Sequence, residues 1–327
     1  MSWVRSTIAA WIAAVFWVPS FAAAAEPYAV GDRYFPPTPS TEDPFVADEV
    51  AFAVSNTRQG ASDSAPVTRT TELTTELALR LTQDLGFSVE GNYLIVDPRG
   101  AANAYGFDNP EFTLKYQLYQ NDPHEFQFSV GVSREFGGVG AARIGAEGVG
   151  STTPTVYIGK GLGDLGEGLR YLRPLAVTGS FGYQISDHRA STSVAVDSTS
   201  GAVSLDSDHH PDMAEVGAAV EYSLRYLEGN VAYLGLPSML SRMTPVIEFS
   251  LETPMSRAYG EPTVATLAPG LVYSGDRYYL GAEMLLPMTR QTGSGVGFIA
   301  TFTARLDLLV PSLFGAPLLS PRGKALP

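Results

Sequence analysis

Apolar and polar residues alternate along most of this chain with a period of two. Phe87, Val89, Tyr93 and Ile95 stand against Ser88, Glu90 and Asn92, and Phe112, Leu114, Tyr116 and Leu118 against Glu111, Thr113, Lys115 and Gln117. Phe126, Phe128, Val130 and Val132 continue the pattern, which returns around Phe181, Val220, Phe249, Met284 and Phe302. This is the period of a β-strand with one wet face. The stretch "TTELTTELALRLTQDLGFSVEGNYLIV", residues 70–96, at first admits a helix, because Leu73, Leu77 and Leu81 recur every four residues and Glu76 precedes Arg80 by four. Leu79 would fall on the wrong side of that helix. Every second position of an alternating strand also falls four apart, so period two accounts for the whole stretch.

With weaker candidates near 45–55, 153–162 and 262–274, the chain holds about twelve strands, an even number as in single-chain outer-membrane barrels. Numbered in order, the links after strands 2, 4 and 10 are short ("QDLG", "QNDPHE", "SGDR"), and those after odd strands are mostly longer and polar, up to the stretch 187–212. Short turns on one side and long loops on the other fit a barrel with both termini in the periplasm. Two links break the rule: "GKGLGDLGEGLRYLRP" and "YLEGNVAYLGLPSMLSRM" should be periplasmic yet are long.

The first 25 residues stand apart. A basic start at Arg5, an apolar run over 8–18 and Ala23-Ala24-Ala25 before Glu26 read as a secretory signal peptide. Export without a single Cys rules out disulfides, so a closed architecture must supply stability. The net charge of −13 and the lack of a Lys/Arg run speak against a nucleic-acid partner. No run of 18 apolar residues exists to form a spanning helix.

These features select an all-β fold, a single antiparallel transmembrane β-barrel of about twelve strands over residues 45–308. A soluble sandwich would turn its apolar faces onto a second sheet. A membrane barrel turns them outward to lipid, so that Glu76, Arg80, Glu90, Lys115, Glu221, Arg225, Glu283 and Arg305 line the lumen. Slipping the register by one at Arg80 would place it in lipid at about 2–4 kcal/mol. Tyr93, Tyr116, Tyr273, Tyr278 and Phe302 lie on or near the apolar faces as interfacial aromatics.

The hairpin after Arg80 is expected to turn at Asp84-Leu85-Gly86, setting Leu81 opposite Val89 and Arg80 opposite Glu90. That pair is either a charged element of a solute path or a brace for the wall. Tyr273 is expected to face Tyr278 across Gly275-Asp276. The segment 26–44 carries Pro27, Pro36, Pro37, Pro39 and Pro44 and cannot be a ladder strand along its length. It forms either a periplasmic tail or a lumen insert, and 309–327 reads as a C-terminal periplasmic tail.

Candidate chemistry is sparse. "DSDHHPD" concentrates Asp206, Asp208, His209, His210 and Asp212, which could take a divalent cation, but the spacing matches no zinc pattern and the segment lies in the longest loop. His124, His188, His209 and His210 sit in turns or loops, leaving no Ser/His set on adjacent wall positions. "GKGLG" lacks the order of a P-loop, and "GSGVG" opens a strand. No cofactor or catalytic metal is indicated, and no enzyme.

Four segments resemble a family as a set: "TTELTTELALRLTQDLGFSVEGNYL", "GFDNPEFTLKYQL", "GKGLGDLGEGLRYLRPLAVTGSFGY" and "GAEMLLPMTRQTGSGVGFIATFTARLDLLVPSLFGAPLL". Together they are similar to the outer-membrane barrels described as meta-pathway phenol-degradation or transporter proteins. Thr41-Glu42-Asp43-Pro44 is similar to an acidic element near that family's N-terminus. The resemblance implies uptake of small aromatic or hydrophobic compounds and carries over no individual binding residue. The functional expectation is a porin-like channel in outer-membrane lipid passing small solutes. The alternative is a closed barrel whose long loops hold a partner or cation.

Overall fold

The computed structural model describes residues 28–61, 66–196, 203–255 and 262–320, without side chains for 193–206. The segment read as a signal peptide lies outside them, as do the last seven residues and the side chain of Asp206. The wall runs in chain order through β3 (Glu49–Gln59), β4 (Thr68–Arg80), β5 (Leu85–Pro98), β7 (Glu111–Asn121), β8 (Phe126–Glu135) and β9 (Ser151–Gly161). It continues through β10 (Leu175–Ser186), β13 (Met213–Tyr222), β14 (Met243–Pro254), β15 (Val264–Ser274), β16 (Tyr278–Pro287) and β17 (Gly297–Arg305). Each pairs antiparallel with its neighbours, and β17–β3 pairing closes a twelve-stranded barrel without an edge. The short β6 (Ala104–Phe107) prolongs the pairing of β5 beyond β7, and β11 (Ala190–Val196) and β12 (Val203–His209) form a separate hairpin within the longest loop.

Alternation sets inside and outside as expected. Leu73, Phe112, Val156, Phe181, Ile247, Met284 and Phe298 are exposed on the outer face, whereas Gln127, Thr178, Glu221, Glu248, Glu283 and Thr303 are buried in the interior. The three short turns 81–84, 122–125 and 275–277 share one end of the barrel with both flanks of the wall, because Leu306 N–H donates to the Asp48 carbonyl at 2.8 Å. The projecting hairpin and the other long connections mark the opposite, loop end.

The two over-long links at the turn end are built from helical turns. Strand β13 stops at Tyr222 because the Ser223 hydroxyl caps a turn over Leu224–Tyr226, accepting the Tyr226 N–H at 3.1 Å. Arg225 therefore leaves the strand row expected for it and stands on that turn. The preceding link carries a helical stretch, Glu167–Leu172.

Register departs from expectation at two hairpins. Glu76 pairs with Glu90, Leu77 with Val89 and Arg80 with Gly86, so the β4/β5 turn comprises residues 81–84. The shift is even, which preserves the faces but removes Glu90 as the partner of Arg80. The Thr82 hydroxyl accepts the Leu85 N–H at 3.0 Å, and Leu81 and Thr82 N–H both donate to the Leu85 carbonyl, which closes the turn earlier than a Gly-based one. Tyr273 pairs with Leu280, and its ring reaches Tyr278 diagonally at 6.2 Å.

Candidate functional site: a plugged, acidic lumen

Residues 28–48 occupy the turn-end half of the lumen. β1 (Ala29–Val30) and β2 (Arg33–Tyr34) form a tight hairpin at Gly31, whose φ of +58° suits glycine and whose Cβ position lies 2.5 Å from the Asp122 carbonyl. The chain then climbs through its prolines to about mid-barrel at residues 40–42 and descends to Asp48, where β3 begins. Proline suits this path because it needs no ladder partner and holds the extended conformation.

Two kinds of contact fix the insert. Its lower part is an apolar core: Tyr28, Val30, Phe35, Phe45 and Ala47 pack with Ala176 and Tyr279 of the wall. The rings of Phe35 and Phe45 lie 5.3 Å apart, those of Tyr28 and Tyr279 5.9 Å. Arg33 is fully buried there, with Nε 3.2 Å from Glu125, its other nitrogens on the Arg173 and Pro174 carbonyls, and its guanidinium stacked on Tyr226.

The tip is held by wall carboxylates. Glu248 accepts the Ser40 N–H at 2.6 Å, the Thr41 N–H at 3.0 Å and the Thr41 hydroxyl, and Glu283 accepts the Ser40 hydroxyl at 2.6 Å. Lys115 donates to the Asp43 carbonyl at 2.9 Å, lies 3.2 Å from Glu42 and sits over the Tyr157 ring. At the base, Asp48 accepts both the Arg80 N–H at 2.7 Å and Nε at 2.8 Å. Asp48 is 2% exposed, so Arg80→Ala leaves a buried anion unpaired. The barrel should lose about 3–5 kcal/mol, read as a lower urea midpoint for the heat-modifiable folded form.

Of the residues expected to line the lumen, Glu76, Arg80, Glu90, Lys115, Glu221, Glu283 and Arg305 occupy inward positions of strands, whereas Arg225 borders the turn-end mouth. The inward cations are committed to internal partners: Arg80 to Asp48, Lys115 to the insert and Arg305 to Asp307 at 2.7 Å. Strand pairing joins the expected Glu76 and Glu90 into a longer acidic row above the insert. Glu76 pairs with Glu90, Glu90 with Glu111 and Glu111 with Glu135, placing carboxylates opposite one another across four neighbouring strands. Glu215 pairs with Glu252 on β13 and β14, six strands further round and hence across the lumen from β4 and β5. Like charges opposite one another cost stability, relieved only in part by Asn92 donating to Glu90 and Asn109 to Glu135.

Two cavities flank the insert. One of about 260 Å³ lies between its tip and β3, β4 and β5, bordered by Glu42, Glu76, Glu90, Lys115 and Thr301. The other, of about 490 Å³, opens at the turn end beside Arg225, Arg242, Asp276 and Asn230. Tyr28 borders the first and Tyr34 and Tyr279 the second, and these three rings pack against one another between the two spaces.

Salt bridges also tie the loops and links. Hydrogen bonds from His124 and Lys160 hold the Asp164 carboxyl below its usual range, and Arg134 does the same to Asp187. The loop acids and imidazoles do not converge. Asp208 and His209 are adjacent on β12 and so point to opposite faces, His210 engages Ser191 at 3.0 Å and Glu147 at 3.4 Å, and Asp212 pairs with Arg189. Among the described residues no group of three or more such side chains is placed to hold a metal ion.

Similar solved structures bear on the architecture. An outer membrane channel from Pseudomonas putida F1 is similar with a TM-score of 0.50 at 11% identity, over 81% of this chain and 98% of that one. The fold is that of an outer-membrane β-barrel. The KdgM porin gives a TM-score of 0.45 at 10% identity, covering 78% and 98% of the two chains. The CymD monoaromatic hydrocarbon channel gives 0.43 at 9% identity, covering 80% and 89%. No family model and no curated protein matches the chain.

Proposed function

We propose that this chain is an outer-membrane channel, with its turn end in the periplasm, for small neutral or cationic solutes that carry hydrogen-bond donors. The observation that carries the reading is the charge arrangement of the lumen. Carboxylates face one another above the insert, while the inward cations are already held by internal carboxylates. A low-dielectric wall focuses such a field, so cations are concentrated at the loop-end mouth and anions repelled.

The family resemblance points to aromatic solutes, and the lumen chemistry narrows the class. A cavity of roughly 150 Å³ already accepts a benzene, so a space of about 260 Å³ accommodates a single substituted ring. Its carboxylates and hydroxyls accept from a phenolic O–H or an anilinium N–H and disfavour a ring carboxylate. Liposomes holding the folded protein should take up phenol and anilinium faster than benzoate, and a salt gradient should give a cation-selective reversal potential. The triple variant Glu76→Gln, Glu90→Gln, Glu111→Gln should move that potential toward zero. Equal passage of benzoate and phenol would sink the proposal.

The packed lower lumen favours a second reading, a closed barrel with a structural or surface-binding role. On that reading, folded and heat-modifiable protein conducts nothing, even after the insert is removed.

A further inference from the structure

The two links that break the short-turn rule expose more apolar surface than a water-facing turn should. Tyr233 is 87% exposed, Met239 62%, Leu234 55%, Tyr171 54% and Leu169 52%, several of them more open than the outward residues of the strands beside them. They sit on short helical segments, Glu167–Leu172 and Ser238–Ser241, or on the coil between helical turns. The links join β9 to β10 and β13 to β14, four strands that are contiguous in the wall, and the 167–172 turn lies against the 227–231 turn.

Placement decides what this surface meets. Tyr222 pairs with Leu175 and alternates with the inward Glu221, so its side chain is on the outer face of the wall. Its hydroxyl donates to the Tyr171 carbonyl at 3.1 Å. The first link therefore folds against the outside of the barrel, where its exposed side chains continue the apolar belt formed by Val177, Phe181 and Val220. Arg170 stacks on Tyr171 at 4.9 Å, a basic group on an aromatic ring as found at the headgroup level of a bilayer. Charge between the end of β9 and the start of β10, residues 162–174, is balanced, with Asp164 and Glu167 against Arg170 and Arg173, so attraction to anionic headgroups contributes little and burial of apolar area dominates.

We propose that these two links form a collar seated in the headgroup and upper acyl region of the leaflet at the turn end, so that one side of the barrel has a taller membrane belt than its strands alone provide. The collar's occupant is phospholipid. The inference rests on the reading of this chain as a membrane barrel.

Tryptophan supplies a test that separates the two. Trp3, Trp11 and Trp17 all precede Glu26, so protein beginning at Glu26 has no tryptophan of its own. Single-tryptophan proteins Tyr233→Trp, Met239→Trp and Leu169→Trp would be refolded into vesicles of phosphatidylcholine brominated either high on the acyl chain or near its end. Val220→Trp, on the outer face of β13, serves as the control. Each collar tryptophan should emit to the blue of its urea-unfolded value and lose most of its emission to the shallow bromines but little to the deep ones. Adding anionic lipid should change neither result. Water-like, unquenched emission from the collar with the control quenched would overturn the collar and leave the membrane barrel intact. An unquenched control would overturn the barrel reading itself. Blue emission that is unquenched and lost on diluting the protein in lipid would replace lipid by a second copy of the chain.

Discussion

Protein lacking residues 28–44 should fold into the same barrel and conduct several-fold more than the full chain. The deletion removes the Tyr28, Phe35 and Arg33 packing and the tip at residues 40–42 but keeps Phe45 to Asp48, whose Val46 N–H to Gln117 and Asp48 to Arg80 bonds anchor the start of β3. The wall is closed by strand pairing alone, since β17 pairs with β3 over residues 49–56. The freed Glu125, Glu248 and Glu283 would then face a water-filled lumen, where carboxylates are readily solvated. Twelve strands enclose more space than eight, whose interior side chains already fill, so the insert is what narrows this lumen. Planar-bilayer conductance, with heat modifiability to certify folding, reads the outcome. Unchanged conductance in folded protein would mean that the insert does not set the bore.

How far this arrangement could be read from sequence follows from what each level of structure depends on. Strand parity is local: alternation over five or six residues separates Leu77 from Glu76, so fold and facing were legible, including at Glu221 and Glu283. Register is not local. The β4/β5 turn closes on Thr82 and Leu85 backbone and hydroxyl bonds, and nothing in the alternation distinguishes that turn from one centred two residues later, which moves every cross-strand partner by four. The partner of Arg80 was beyond reach for the same reason, since Asp48 lies 32 positions upstream at the end of a segment with no periodicity. The acidic row was half visible: Glu76, Glu90 and Glu111 stood on polar faces, but only their pairings with one another and with Glu135 show them as neighbours. Arg225 was misplaced because alternation continues formally past Tyr222, where the Ser223 cap starts a helical turn.

Locking the insert to the wall should abolish uptake without altering the fold. A Cβ placed on Gly217 would lie 3.4 Å from the Thr41 Cβ, close to the roughly 3.5–4.5 Å spacing of disulfides. Its nearest obstacle, the Ser180 hydroxyl, is the end of a small side chain that can rotate away. The chain has no other cysteine, so Thr41→Cys with Gly217→Cys forms one bond or none. The lock is informative because the two cavities are separated by the Tyr28, Tyr34 and Tyr279 rings, two of which belong to the insert. If solute passes between the cavities only when the insert shifts, the Glu248 bonds to Ser40 and Thr41 must break for its tip to move. Each such bond to a charged acceptor is worth about 1.5–3 kcal/mol, a barrier that thermal fluctuation crosses readily. Oxidised protein in liposomes should pass phenol at the rate of empty vesicles, and dithiothreitol should restore uptake in the same sample. Glu248→Ala on the unlocked chain should raise uptake, since it removes the acceptor that holds the tip. If oxidised and reduced protein pass phenol equally, solute moves beside a stationary insert, and the tyrosine layer is not the gate.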